Sequence, residues 1–219
     1  MKSGGVVMTT KDKWMSTIWL ILCFFILQGF ISVLLVTSFT IDWFMAQAIA
    51  QMIIFPLMLK IMSCYRMEHF KFSSITLKNI GWMLLIGIVC HFLTGYIVEL
   101  LPKETLINQE SIETLATKSS EVSIFLAVVM MGPIIEELLF RSLFIQNIFK
   151  NKKWIGFLVA TTLFALAHAG VTVTSFVTYF MLGIPMGLIL IKTKSLECAI
   201  LWHLINNLLA VSVMFGWIR

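Results

Sequence analysis

The sequence predicts an all-α polytopic membrane protein, a bundle of about seven transmembrane helices, and two observations support this prediction. Of the 219 residues, 59% are hydrophobic and only 12% are charged, against roughly 25% charged in an average soluble domain. Apolar runs long enough to cross a bilayer recur along the whole length. They leave no room for a separate soluble domain, so residues 14–219 are predicted to form one membrane domain after a tail of residues 1–13.

The apolar runs give the order of the spans. The first run is too long for the core of a signal peptide and lacks an A-x-A cleavage site, so we expect it to remain as a span. Pro56 should kink the second span without breaking it. Residues 63–78 are predicted to lie along the membrane surface, and residues 102–120 to form a polar loop. The seven predicted spans cover 14–39, about 43–62, about 80–101, about 121–149, 154–169, about 173–191 and about 196–218; an eighth span or a re-entrant segment is also compatible with the pattern.

The basic residues beside the spans predict the orientation. With seven spans and a cytoplasmic amino terminus, twelve of the sixteen Lys and Arg residues lie on the cytoplasmic side. Lys103, Lys118 and Arg219 lie on the other side, and Arg141 lies within a helix. We therefore interpret the net charge of +5 as a sign of membrane topology with the lipid bilayer as partner, and we expect no nucleic-acid binding.

The four cysteines, Cys23, Cys64, Cys90 and Cys198, are scattered singly along the chain. They form neither a C-x-x-C pair nor a spacing typical of metal ligands. Free thiols are the expected state.

The stretch MMGPIIEELLFR, in the fourth predicted span, carries ionisable groups where burial in lipid is expensive and therefore indicates a functional site. Glu137 and Arg141 are four residues apart and can pair on one helical face, whereas Glu136 is rotated by about 100°. Gly132 and Pro133 precede the pair, and the missing proline N–H should kink the helix and open space near the glutamates. One carboxylate is thus neutralised, and the other is left for chemistry.

Three polar residues on later spans complete the candidate site. His168 lies near the end of the fifth predicted span, and His203 and Asn207 share a face of the seventh because they are four residues apart. Depth can be counted from the nearest cytoplasmic lysine at about 1.5 Å per residue. Glu136 and His168 then lie roughly 21 to 23 Å deep, Asn207 about 20 Å and His203 about 14 Å. These depths predict that the groups meet, provided that helix tilt brings His203 into place.

Such a set suits hydrolysis. A glutamate beside an imidazole can accept a proton from water as a general base, and a second histidine with an asparagine amide can stabilise an oxyanion. Alternatively, Glu136, His168 and His203 hold a metal ion, with Zn²⁺ as the candidate, and leave one position open for water. The residues leave both mechanisms open.

The same residues resemble, in order and on successive late helices, three motifs of the CPBP family. These are the CAAX proteases and bacteriocin-processing enzymes, also called the Abi family and typified by the type II CAAX prenyl endopeptidase. The resemblance covers about residues 121–219. The motifs are Glu136-Glu137-x-x-x-Arg141, Phe164-x-x-x-His168 and His203-x-x-x-Asn207.

This resemblance implies an intramembrane endopeptidase, and it assigns roles to the six charged or polar residues. By this resemblance, Glu136 and His168 activate the attacking water, whereas His203 and Asn207 stabilise the oxyanion. The supporting roles fall to Glu137 and Arg141. The family is named as metalloproteases, and a metal-free mechanism that depends on glutamate is also proposed for it.

The resemblance also suggests a setting and a substrate class. We expect a bacterial plasma membrane protein that cleaves a small peptide or a membrane-associated protein, prenylated or not, in peptide maturation or bacteriocin self-immunity. One alternative is a non-catalytic membrane immunity or scaffold protein. Another is a small proton-coupled transporter, in which Glu and His relay protons, although the chain shows no repeat between its halves.

Overall fold

The computed structural model describes residues 10–170 and 172–218, and within these ranges the chain forms helices and no strand. The predicted all-α membrane bundle is therefore confirmed. The first helix begins at Thr10, inside the predicted tail, and the rest of that tail lies outside the described residues. The helices are α1 Thr10–Phe39, α2 Trp43–Cys64, α3 Leu77–Glu99, α4 Ile107–Ala116, α5 Glu121–Ile148, α6 Lys153–His168, α7 Val173–Thr193 and α8 Leu196–Met214.

Six helices in the described part of the chain are long and apolar enough to cross a membrane, one fewer than the seven predicted spans. The difference is α6, whose bounds agree with the prediction to within one residue. Its 16 residues reach about 24 Å, less than the roughly 30 Å of a hydrocarbon core. Gly170 ends the following turn with a φ of 62°, a conformation that glycine adopts at little cost. The helix therefore stops short and leaves His168 inside the bundle.

The predicted loop 102–120 contains the helix α4, which the sequence analysis missed. Ile112 packs against the apolar cluster that includes Phe44 and Ile124, and the Asn108 amide donates a hydrogen bond to the Tyr179 hydroxyl at 3.3 Å. The apolar residues of α4 are too few to form the long run that marks a span. Its tertiary contacts therefore provide much of its stabilisation.

Helix α5 lies at the centre of the bundle. Its most apolar stretch is 61% buried, against 17% for the corresponding stretches of α1 and α3. Helices α1, α2, α6, α7 and α8 all pack against it. The candidate carboxylates thus lie on the most enclosed of the predicted spans.

The linker between α2 and α3 forms hydrogen bonds and an ion pair with residues at the ends of later helices. The Asn147 amide donates to the Glu68 carbonyl at 3.0 Å, and the Glu68 carboxylate pairs with Lys150 at 2.7 Å. The hydrogen bond from Lys150 lowers the pKa of Glu68 below its usual value, although partial burial opposes this shift. Ser74 donates to Glu197, at the start of α8, at 2.7 Å. These contacts fix the linker against the bundle.

The four cysteines are free, as predicted.

Gly87→Ala should destabilise the packing of α3 against α8. A methyl group at Gly87 would overlap the indole ring of Trp202, which is buried and has little room to move. We expect the free energy of unfolding to fall by about 1–3 kcal/mol, the usual effect of overpacking. Gly95→Ala on the same helix is the control, because nothing lies within 4 Å of that position. If the two variants unfold at the same temperature in detergent, the described contact between α3 and α8 is wrong.

Candidate active site

Helices α5, α6 and α8 bring Glu136, His168 and His203 together. The Glu136 Oε1 atom lies 3.8 Å from Nε2 of His168, and its Oε2 atom lies 3.6 Å from Nε2 of His203. The three side chains are 27%, 19% and 5% exposed, respectively. The carboxylate therefore faces both imidazoles at separations just beyond hydrogen-bond distance.

Hydrogen bonds on the far side of each ring set the direction of the two imidazoles. Nδ1 of His168 lies 2.8 Å from the Phe164 carbonyl oxygen, which can only accept, so Nδ1 carries the proton. Nδ1 of His203 lies 3.0 Å from the Glu137 carboxylate and donates to it. With both Nδ1 atoms engaged, each ring presents Nε2 to Glu136.

Glu137 and Arg141 form the ion pair that their spacing allows. The atoms Oε1 and Nη1 are 3.1 Å apart, and both side chains are fully buried. Nη2 of Arg141 donates to the Gly183 carbonyl at 2.9 Å, and the guanidinium lies 4.5 Å from the centre of the Phe164 ring. A buried arginine thus has a counter-charge, a hydrogen bond and an aromatic partner. The further bond from His203 to Glu137 links this pair to the site, and the sequence did not predict it.

The geometry of α5 changes on both sides of the segment Gly132–Glu136. The flanking segments Phe125–Met131 and Glu137–Ile148 are π-helical, with wider turns that often occur at functional sites. A Cβ atom at Gly132 would lie 2.9 Å from the Ala127 carbonyl oxygen, so a side chain there would be too close. The sequence predicted a kink from Gly132 and Pro133, and the structure has π-helical turns on both sides of these residues.

Asn207 contacts the backbone at this irregular point. The Gly132 N–H donates to the Ala127 carbonyl, five residues back, and the same register would pair residue 133 with the Val128 carbonyl. Pro133 has no N–H to donate. The Asn207 amide instead donates to the Val128 carbonyl at 2.8 Å. One of its two amide hydrogens therefore has a structural role, and the other remains for the cavity.

We expect Asn207→Ala to lower the free energy of unfolding by about 1–3 kcal/mol, because it leaves the partly buried Val128 carbonyl without this partner. Pro133→Ala restores an N–H beside that carbonyl, so the same substitution should cost less in a Pro133→Ala background. The measurement is a double-mutant cycle of thermal unfolding in detergent, with Asn206→Ala as the neighbouring control. Equal costs of Asn207→Ala in both backgrounds would show that the amide does not substitute for the proline N–H.

A metal ion does not fit the described side chains as they stand. Among residues 10–170 and 172–218, no three His, Cys, Asp or Glu side chains are arranged to hold one. This includes the set Glu136, His168 and His203 named in the zinc alternative. Zinc dependence stays a prediction, and elemental analysis of the purified protein tests it.

The site opens into a cavity of about 860 Å³. Glu136, both site histidines and Asn207 line it, so the Glu136 carboxylate can meet a molecule that enters. Tyr179 is a wall residue that the sequence analysis missed. Its ring centre lies 5.4 Å from that of His168. The sequence did contain a signal for Tyr179, because a tyrosine is a polar residue within an apolar span. Tyr179 belongs to none of the three motifs.

Fold and site together define an integral membrane protein in which a glutamate and two histidines adjoin a cavity within a helical bundle. Residues 118–209 match the family model described as type II CAAX prenyl endopeptidase Rce1-like. This match to a membrane protease family model confirms the predicted resemblance. The four candidate residues that contact the cavity all fall inside the matched segment, whereas α1 to α4 lie outside it.

Two curated relatives come from Lactococcus lactis subsp. lactis (strain IL1403). The UPF0177 protein YvdC is 28% identical over 135 residues, which is 61% of this chain and 51% of the relative. The UPF0177 protein YbdI is 29% identical over 133 residues, which is 57% of this chain and 68% of the relative. The matched region thus spans about half the length of YvdC. No solved structure gave a significant match.

Proposed function

We propose that this chain is an intramembrane endopeptidase that hydrolyses a small peptide or a membrane-associated protein. The observation that carries the proposal is the Glu136 carboxylate, which lies 3.8 and 3.6 Å from the Nε2 atoms of His168 and His203. The Nδ1 atom of each ring is engaged by another group, the Phe164 carbonyl for His168 and the Glu137 carboxylate for His203. Glu136 and both histidines line one cavity. The match of residues 118–209 to a membrane protease family model supports the same conclusion.

In the first step, Glu136 accepts a proton from water while the water oxygen attacks the carbonyl carbon of the substrate. His168 shares the proton through Nε2, because its Nδ1 is bonded to the Phe164 carbonyl. The separations between Glu136 and the imidazoles leave room for the water oxygen beside all three groups. This step produces a tetrahedral intermediate with a negative oxygen.

His203 and the second amide hydrogen of Asn207 are the donors proposed for that oxygen. With neutral histidines, Glu136, Glu137 and Arg141 sum to a net charge of −1, so one protonated imidazole in the site would make the buried group neutral and avoid the large penalty of an unpaired buried charge. Nε2 of His203 lies 3.6 Å from Oε2 of Glu136. It is therefore the ring nitrogen placed to donate to the oxyanion.

In the last step, the intermediate collapses and the C–N bond breaks. The leaving nitrogen takes the proton that Glu136 and His168 acquired from water, and the products are a carboxylic acid and an amine. The two residues return to their starting state. Water is therefore the only co-substrate in this scheme.

We further propose a bacterial plasma membrane location with a cytoplasmic amino terminus, and a role in peptide maturation or bacteriocin self-immunity. A pocket of about 280 Å³ supports the orientation, because it gathers lysines from three separate linkers at one end of the bundle. Such an excess of basic residues is typical of the cytoplasmic face. The lysines are Lys71, Lys150, Lys153 and Lys194.

The test is a comparison of membrane-protein fragments from cells that carry the wild type or Glu136→Gln. We expect fragments that appear only with the wild type, and these fragments also identify the substrate. If the variant gives the same fragments and protects cells from bacteriocin as well as the wild type does, the chain acts as a non-catalytic immunity or scaffold protein.

A further inference from the structure

Four glutamines from the helices outside the family match line the cavity, namely Gln28 of α1, Gln47 and Gln51 of α2, and Gln109 of α4. Gln47 and Gln51 are four residues apart and share one face of α2. That helix packs directly against the segment Gly132–Glu136. Neutral amides thus adjoin the helical turn that carries the candidate base.

Gln51 lacks a partner for its amide oxygen. The residue is only 7% exposed, and its Oε1 atom has no hydrogen-bond partner among the described residues. A buried acceptor without a donor is costly, and polar residues within membrane spans commonly mark functional sites. A small rotation of the amide can offer this oxygen to a donor that enters the cavity.

The charges of the cavity wall indicate which donor this is. Within residues 10–170 and 172–218, the wall contains one carboxylate, that of Glu136, and no lysine or arginine. A free carboxylate or phosphate would therefore find no lysine or arginine in the wall, and the site imidazoles already face the Glu136 carboxylate. An extended peptide offers one N–H and one C=O at each non-proline residue, and it needs partners for both when it is buried. Glutamine amides can both donate to and accept from such groups.

We propose that Gln47 and Gln51 form a subsite for the backbone of an extended, uncharged substrate segment next to the scissile bond. In this subsite, Oε1 of Gln51 accepts a backbone N–H of the substrate. The inference rests on the proposed peptidase function, and it adds an internal, unfolded and neutral peptide segment as the class that the cavity binds. Helix α2 thereby contributes to specificity although it lies outside the family match.

The test measures binding of a short neutral peptide, acetylated, amidated and labelled with an uncharged coumarin fluorophore, to purified Glu136→Gln protein in detergent. We expect Gln51→Leu to weaken binding by about fivefold to tenfold, the loss of one net hydrogen bond. Leucine suits a buried position in a span, and thermal unfolding confirms that the variant folds. Gln146→Leu is the control, because the amide oxygen of Gln146 is also unpaired but the residue lines the separate lysine-lined pocket.

A second probe needs no substitution at Gln51. A series of the same peptide, with one backbone amide after another replaced by an ester, removes single N–H donors. We expect one ester to weaken binding by a factor similar to that of Gln51→Leu, and to have no further effect in the Gln51→Leu protein. Unchanged binding at every ester position overturns the proposal and shows that Gln51 is simply hydrated.

The binding assay uses an inactive protein, so its outcome is separate from that of the fragment comparison. Wild-type cleavage with binding that does not depend on Gln51 rejects the subsite and leaves the peptidase intact. Binding that depends on Gln51 without any wild-type cleavage rejects the peptidase and supports the peptide subsite.

Discussion

Glu136→Gln should slow peptide hydrolysis by about 10²–10⁴-fold, the usual contribution of a general base. Glutamine has nearly the same shape, so the cavity and the contacts with both imidazoles should persist. An amide cannot accept the proton that water must lose, and the first step of the mechanism fails. The measurement is the rate at which purified protein releases the fragment found in the comparison of membranes.

The matched control is Glu121→Gln, the same substitution on the same helix. Glu121 is exposed and lies in the first turn of α5, outside the cavity wall. We expect its rate to equal that of the wild type. A Glu136→Gln protein that cleaves at the wild-type rate would show that another group activates the water.

Arg141→Met should lower the free energy of unfolding by about 3–5 kcal/mol. The substitution leaves the fully buried Glu137 carboxylate without its counter-charge, and an isolated buried charge is far more costly than a buried pair. It also removes the hydrogen bond to the Gly183 carbonyl. Thermal or chemical unfolding in detergent measures the loss.

The double variant Glu137→Gln/Arg141→Met should be more stable than Arg141→Met alone. Removal of both charges leaves no isolated ion, and neutral side chains often replace a buried pair at little cost. Hydrolysis should nevertheless stay impaired, because His203 no longer donates to a carboxylate. If the two single substitutions simply add, the buried residues are not coupled and the described ion pair is wrong.

Much of the fold could be predicted from the order of apolar runs. In lipid every backbone group must be paired within its own segment, so length and hydropathy are strong signals for spanning helices. The same reasoning failed for α4, whose ten residues carry no long apolar run and depend on contacts with other helices. It also counted α6 as a span, whereas the 16 residues of this apolar helix are fewer than those of any of the six helices long enough to cross a membrane in the described part of the chain.

Local spacing predicted one contact of the site but not the others. The four-residue interval between Glu137 and Arg141 allowed their ion pair, because helical periodicity places such residues on one face. The bond from Asn207 to the Val128 carbonyl joins residues 79 positions apart, and no local pattern indicates it. The same holds for Tyr179 beside His168.

His203 shows where prediction from the sequence ends. Composition and motif order alone indicated a membrane bundle, a family and a set of polar residues, because each of these depends on the chain's local chemistry. Counted depth placed His203 roughly 7 Å from the level of Glu136, yet the packed helices bring their side chains to 3.6 Å. Helix tilt and rotation depend on how neighbouring helices pack, so the tertiary structure alone decided that both imidazoles face Glu136.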